Sequence, residues 1–109
     1  MQLTSFLQDK QLTISLCGEI DHHEARSVLR TIADKIDQFL PMVCVLDFKA
    51  VSFMDSSGIA VVIHTYRRMN ERQGVLRLRR VPPQPKKVLE AAGMDRLVSI
   101  EGRGFADEA

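Results

Sequence analysis

The sequence predicts an α/β fold: a single domain whose small mixed or parallel β-sheet has an N-terminal hairpin and three main helices packed on it. Two strand-like segments joined by a polar turn open the chain, which is the pattern of a hairpin. Helical and strand patterns then alternate, as they do where helices connect parallel strands. A length of 109 residues, 45% hydrophobic and 27% charged, is typical of one soluble globular domain.

The hairpin is predicted from alternation and turn chemistry. Residues 12–17 alternate Leu or Ile with Thr or Ser, the pattern of a half-buried strand. The polar residues 8–11 precede this strand and suit a turn after a first short apolar run. Gly18 is expected to end the second strand.

The first helix is predicted from its cap and its apolar face. Asp21 followed three residues later by Glu24 has the form of a capping box. Apolar residues then recur at helical spacing as far as Leu40, and Pro41 stops the helix. Charged residues occupy the opposite face, so this helix is expected to cover the sheet on one side and meet water on the other.

The middle of the chain predicts a strand, a loop and a second helix. Residues 43–46 form a continuous aliphatic run, as expected for a strand buried on both faces. Residues 49–54 are expected to form a loop. The β-branched residues 59–63 suit either a strand or a helix, but the length of the segment and Gly74 at its end favour a helix from 59 to about 73.

The last third predicts a strand, a short helix and a final strand. Residues 75–79 alternate and are interrupted by the prolines of 82–85. A short helix is expected over 86–92, followed by a strand at 97–100. Residues 101–109 are polar and contain two glycines, so they are expected to form a loosely held tail.

The cysteines and the opening residues exclude several classes of protein. Cys17 and Cys44 lie in strand-like runs and are expected to be small buried side chains, since two cysteines form no disulfide scaffold. The first residues lack the basic and long apolar stretches of a signal peptide. No apolar run is long enough to cross a membrane. A cytoplasmic protein is therefore expected.

Neither a metal site nor catalysis is expected. His22 and His23 are adjacent, and no cysteine or carboxylate completes a ligand set around them. A catalytic triad of Ser57, His64 and Asp55 is unpromising, because His64 lies about two helical turns from Ser57. The sequence therefore predicts no enzyme and no cofactor.

The segment 55–58, Asp-Ser-Ser-Gly, has two interpretations. Asp and Ser in front of a helix are most often capping residues. Alternatively, a serine hydroxyl at a helix N-terminus is a place where free N–H groups and the helix dipole favour a phosphate. The apolar residues Phe53, Met54 and Ile59 would then form a rim for a partner.

Two segments resemble the signature sequences of the STAS-domain family of anti-sigma factor antagonists. Residues 53–59, Phe-Met-Asp-Ser-Ser-Gly-Ile, are similar to that family's phosphorylation-site motif. Residues 18–25, Gly-Glu-Ile-Asp-His-His-Glu-Ala, are similar to its second signature at the expected distance upstream. Residues 73–75 and 88–94 also fit the family pattern, so the resemblance covers most of the chain.

The resemblance implies a STAS-like domain that acts as a binding switch. The unphosphorylated family member binds an anti-sigma factor, which is also a serine kinase that uses ATP, and so frees a sigma factor. The kinase phosphorylates the second serine of the motif, here Ser57, and binding is lost until a serine phosphatase restores it. Whether sporulation or a stress response is served stays open. The other residues that the resemblance places in the partner-binding region are Asp55, Ser56, Gly58, Met54, Glu19, Asp21 and His22.

The chain departs from the family pattern in two places. Ala60 stands where a second glycine is common, and residues 76–80 carry arginines where relatives are more apolar. Residues 64–87 hold eight Lys or Arg and one acid, a net +7 within a chain of net +1. This segment suits a solvated face, an acidic partner or nucleic acid. A nucleic-acid-binding domain and a structural interaction domain therefore remain alternatives, although direct nucleic-acid binding is not the expectation.

Overall fold

The sheet of this protein has five strands, seen in a computed structural model that describes residues 1–102. The strands run in the order β1-β2-β3-β4-β5; β1 and β2 are antiparallel and every later pair is parallel. This confirms the predicted mixed sheet with an N-terminal hairpin and three helices. The elements are β1 (Gln2–Gln8), β2 (Gln11–Ile20), α1 (Ala25–Phe39), β3 (Val43–Met54), α2 (Ser57–Glu71), β4 (Val75–Val81), α3 (Pro83–Ala91), a 3₁₀ turn (Met94–Arg96) and β5 (Ser99–Gly102).

A two-residue turn closes the hairpin. Asp9 and Lys10 have φ angles of 51° and 64°, the left-handed conformations that match the twist of paired antiparallel strands. The Lys10 carbonyl also accepts hydrogen bonds from the backbone N–H groups of Met42 and Val43, at 2.8 and 3.2 Å. The hairpin is therefore tied to the beginning of β3.

The core lies on one face of the sheet. Leu12 of β2, Cys44 of β3 and Leu76 of β4 are in register, and Ile14, Leu46 and Leu78 form the next row. All of these side chains are buried in one cluster with the apolar faces of α1 and α2. Because side chains alternate across a strand, the intervening residues, Asp47 among them, face the other side of the sheet.

Strands β2 and β3 are longer than predicted. Gly18 does not end β2, because the strand passes it with a φ of 120° and continues to Ile20. Residues 49–54 are not a loop but the second half of β3, paired with the end of β2 across two irregularities in register. Such a bulge lets two strands continue side by side with changed side-chain orientation, and local sequence does not encode it.

Further boundaries also differ from the sequence-based expectation. Helix α3 begins at Pro83 rather than after the prolines, since proline fits the first turn of a helix. The final strand is shifted to Ser99–Gly102, so residues 101 and 102 are strand rather than tail. The rest of the expected tail, residues 103–109, lies outside the described residues. Cys44 is buried as expected, whereas Cys17 is exposed.

Candidate functional site

The two segments that the sequence singled out lie side by side at the C-terminal ends of β2 and β3. Glu19 pairs with Phe53 and Ile20 with Met54. The backbone N–H of Asp55 then donates to the Ile20 carbonyl at 3.1 Å. The beginning of α2 is therefore held directly against the connection between β2 and α1.

The carboxylate of Asp55 is the centre of this site. Its Oδ1 atom accepts a hydrogen bond from the Ser57 backbone N–H at 2.8 Å. This bond lowers the pKa of the Asp55 carboxyl below its ordinary value; partial desolvation opposes the shift, and the Ser57 hydroxyl and the His22 backbone N–H and side chain reinforce it. Asp55 is therefore ionised at neutral pH and interacts with both signature segments.

The first amide groups of α2 already have partners. Besides the bond from Ser57 to Asp55, the Gly58 N–H donates to the Asp55 carbonyl at 3.0 Å and the Ile59 N–H to the Ser56 carbonyl at 3.1 Å. The free N–H groups expected here from sequence are thus not available to a phosphate. A phosphate on Ser57 would meet the Asp55 carboxylate instead.

An exposed surface surrounds Ser57. Ser56, Glu19 and His22 are exposed, and Asp21 and Ser57 are half-buried. The side chain of Phe53 is 42% exposed although it lies beside Glu19 in the sheet. An aromatic ring among polar groups is a common composition for a protein-binding surface.

Met54 and Gly58 are not part of the exposed surface around Ser57. For Met54 this differs from the sequence-based expectation of an apolar rim. Met54 is fully buried and Gly58 is buried beneath the surface. A Cβ atom at Gly58 would overlap Cγ and Sδ of Met54. These two residues therefore shape the site from below, by allowing the first turn of α2 to sit on the end of β3.

The expected capping box at Asp21 is only half formed. Asp21 Oδ1 accepts hydrogen bonds from the N–H groups of His23 and Glu24, both at 3.0 Å, which stabilises a turn ahead of α1. The Glu24 carboxylate does not complete the box; it lies 3.4 Å from the terminal amine of Met1. The turn keeps His22 next to Asp55.

The rings of His22 and His23 lie against each other with centroids 4.0 Å apart. Within residues 1–102 no three His, Cys, Asp or Glu side chains are grouped so that they could hold a metal ion. In the same part of the chain, no helix is both long and apolar enough to cross a membrane.

Sequence reasoning missed Gln84, at the beginning of α3. Its side-chain amide makes two hydrogen bonds to the backbone of Met54, at 2.9 and 2.8 Å. The sequence around it indicates only that the neighbouring prolines end the preceding strand. A glutamine on a polar helix carries no local signal that it will meet a backbone 30 residues away.

Several arginines of the basic segment, residues 64–87, form ion pairs or hydrogen bonds within the domain. Arg68 pairs with Asp37 at 2.8 Å, and Arg80 pairs with the buried Asp47. Arg72 donates to the Pro41 carbonyl at 3.3 Å. Arg77 is exposed on β4. The net +7 of the segment therefore overstates the charge that it offers to a partner.

Comparisons with known proteins agree with this architecture. The model of the STAS domain matches residues 6–108. An anti-sigma F factor antagonist from Paenibacillus polymyxa is 30% identical over 89 residues, which cover 82% of this chain and 76% of the relative. An anti-sigma-B factor antagonist from Bacillus subtilis is 22% identical over 96 residues, covering 87% and 85% of the two chains.

Solved structures share the fold. The anti-sigma factor antagonist SpoIIAA in its unphosphorylated form superposes with a TM-score of 0.78 at 25% identity, covering 98% of this chain and 94% of that one. SpoIIAA from Bacillus in its phosphorylated form gives a TM-score of 0.71 at 25% identity, covering 98% and 97%. The match of the family model over nearly the whole chain, together with this fold, shows that the protein belongs to the STAS-domain family.

Proposed function

We propose that this protein is an anti-sigma factor antagonist controlled by phosphorylation of Ser57. Its unphosphorylated form binds an anti-sigma factor that is also a serine kinase, and a sigma factor is released. The names of the relatives support the first part of this proposal. The existence of SpoIIAA structures in unphosphorylated and phosphorylated forms supports the second.

The chemistry of the switch belongs to the partners. The kinase moves the terminal phosphoryl group of ATP to Ser57 Oγ, leaving ADP and releasing the hydroxyl proton. A serine phosphatase hydrolyses the phosphoserine to serine and inorganic phosphate. The chain itself supplies the hydroxyl and the surface around it.

The observation that carries the proposal is the contact between Asp55 and Ser57. The Ser57 N–H bonds to the Asp55 carboxylate, and the hydroxyl helps to lower the pKa of that carboxyl. Phosphorylation replaces the hydroxyl donor by a group carrying about −1.5 to −2 charges. A favourable contact thereby becomes a repulsion between two anions at the surface that a partner would cover.

The surface around Ser57 suits a partner that covers it. Phe53 offers an apolar contact, and Glu19, His22 and Ser56 offer polar ones. A phosphate at the centre of such an interface would have to be desolvated beside Asp55, which is unfavourable for binding. The proposal therefore predicts the direction of the switch as well as its place.

The first test is Ser57→Ala. Without the hydroxyl, labelling by the anti-sigma kinase and ATP should disappear, while binding of the unphosphorylated protein persists. Phosphopeptide mapping by mass spectrometry measures the label. Ser56→Ala is the matched control, since it removes the neighbouring hydroxyl and should leave labelling intact. Stoichiometric labelling of Ser57→Ala would place the phosphate elsewhere.

The second test is Ser57→Glu. A new carboxylate facing Asp55 should weaken binding of the anti-sigma factor by about tenfold or more, because a desolvated like-charge pair costs upwards of about 1.4 kcal/mol. Ser99→Glu, on the edge strand β5, adds the same charge far from the site and should bind normally. Equal affinities of the two variants in calorimetry would contradict the electrostatic explanation.

The alternative of a nucleic-acid-binding domain makes a different prediction. Salt-sensitive binding of DNA or RNA that depends on Arg77 and Arg79 would favour it. The proposed function predicts that replacing these two arginines leaves binding of the anti-sigma factor unchanged.

A further inference from the structure

Among residues 1–102, the last residues of β3 have a strand neighbour on one side only. Pairing with β2 continues to Met54, but pairing with β4 extends only from Val43 to Asp47. Beyond that point β4 leaves β3, and in the described part of the chain no strand lies on the β4 side of the last residues of β3, which lead into Asp55 and Ser57.

The side chain of Gln84 takes the place of that neighbour at the final residue of β3. Its Oε1 atom accepts a hydrogen bond from the Met54 backbone N–H at 2.9 Å, and its Nε2 atom donates to the Met54 carbonyl at 2.8 Å. A carboxamide presents the same donor and acceptor as a peptide group. Met54 is thus paired on both sides, by Ile20 of β2 and by Gln84.

The base of this side chain is itself held in place. Gln84 lies between Pro83 and Pro85 in the first turn of α3, where the proline rings fix the backbone φ. Pro82 and Pro85 are buried. The anchored backbone of this turn keeps the Cα atom of Gln84 in place beside the end of β3, so the side chain can reach the Met54 backbone without a movement of the helix.

Met54 is also the residue through which the site is placed. Asp55 follows it directly and bonds to Ile20 and Ser57. The Met54 side chain lies beneath Gly58, in the first turn of α2. A shift of the Met54 backbone would therefore move both the carboxylate and the hydroxyl of the proposed switch.

We infer that Gln84 is a positioning residue for the phosphoacceptor segment, residues 54–57. This inference rests on the proposed function, which it deepens: Gln84 holds the loop in the conformation that the kinase and the anti-sigma factor recognise. The first turn of helix α3, which lies outside the segments that resemble the family, thereby becomes part of the proposed switch.

The test is amide hydrogen exchange, measured by NMR on the whole chain carrying Gln84→Met, a substitution of similar size that removes both hydrogen bonds. Exchange should accelerate about tenfold at Asp55 and Ser57, the effect of losing about 1.4 kcal/mol of local protection. Neither amide bonds to Gln84, so both report the position of the segment. The amide of Ile14, in the core of β2, should keep its rate. Lys87→Met, exposed on the same helix, is the matched control.

A second variant tests the same contact in case Gln84→Met destabilises the whole fold. Gln84→Glu keeps the acceptor for the Met54 N–H and loses the donor to the Met54 carbonyl, so the acceleration should appear at the same amides. Unchanged exchange at Asp55 and Ser57 in both variants would overturn the inference. So would an equal acceleration at Ile14, which would make Gln84 a contributor to general stability only.

Phosphorylation kinetics separate this inference from the proposed function. If wild-type protein is phosphorylated at Ser57, Gln84→Met should lower the kinase's kcat/KM several-fold, and Lys87→Met should not. An unchanged kcat/KM despite local acceleration of exchange would overturn the role of Gln84 in recognition. If wild-type protein is not phosphorylated, the proposed function fails, and the exchange rates still decide whether Gln84 positions the segment.

Discussion

At the scale of single residues, Asp55 explains why Ser57 is a suitable place for a charge switch. Its carboxylate occupies the space in front of the first turn of α2 and bonds to the Ser57 N–H at 2.8 Å. The same carboxylate is close enough to His22 for that residue to help lower its pKa. At neutral pH a negative charge therefore lies beside the hydroxyl that would receive the second one.

The lowered pKa of Asp55 makes a prediction about stability and pH. The folded state prefers the ionised carboxyl, so the stabilisation is present above the ordinary pKa of 3.8 and is lost as the pH falls below it, through the lowered folded value. Asp55→Asn should therefore be less stable than wild type at pH 7, and the difference should narrow at pH 3.

Urea unfolding at both pH values measures this difference. Asp34→Asn, which removes an exposed carboxylate from α1, is the control and should show little change at either pH. A stability difference for Asp55→Asn that is the same at pH 7 and pH 3 would contradict the assigned role of the charge.

At the scale of elements, the site depends on the close approach of α2 to the end of β3. Gly58 lies in the first turn of α2 directly over the buried side chain of Met54. In most helices glycine is less favourable than alanine by about 1 kcal/mol. Here the lack of room for a methyl group above Met54 outweighs that preference.

Gly58→Ala should therefore destabilise the protein. Overpacking of a filled site costs about 1–3 kcal/mol, which at its midpoint exceeds the helix-propensity gain. Thermal or urea unfolding measures the change. Combined with Met54→Ala, which makes room for the new methyl group, Gly58→Ala should cost less than it does alone. Additive effects of the two substitutions would show that the predicted overlap does not govern stability.

The elements also show which features local sequence encodes. Three features depend on neighbouring residues, and local sequence predicts all of them. They are the hairpin turn at Asp9 and Lys10, the apolar face of α1 and the alternation of β4. The continuation of β3 through residues 49–54 depends on pairing with β2 about 30 residues earlier, so local sequence predicts a loop there. The prediction of free N–H groups at the beginning of α2 is wrong, because oxygen atoms of Asp55 and Ser56 accept hydrogen bonds from them.

In the candidate site too, local sequence predicts some features, whereas others depend on contacts between distant segments. Ser57, Asp55 and His22 were selected from sequence, through the resemblance of two segments, and the fold brings both segments together. Met54 was expected on the rim but is buried, because the strand extends one residue past the exposed Phe53. Gln84 could not be found, since its partner atoms belong to the backbone and leave no trace in residue type.

At the scale of the whole molecule, the proposed switch acts through the charge of the domain surface. The net charge is +1, and a phosphoryl group adds about −1.5 to −2, so a single phosphorylation would reverse the sign of the net charge. The effect on a partner is local, because salt screens charges beyond about 10 Å. The basic residues of α2 and β4 are partly engaged in ion pairs within the domain.

The central claim is that one phosphate on Ser57 ends binding, and calorimetry with purified anti-sigma factor tests it most directly. Unmodified protein and protein phosphorylated stoichiometrically at Ser57 are titrated under the same salt conditions. We expect tight binding by the first and a loss of at least about tenfold in affinity for the second, equivalent to about 1.4 kcal/mol. Equal affinity of the two forms would contradict the proposed switch.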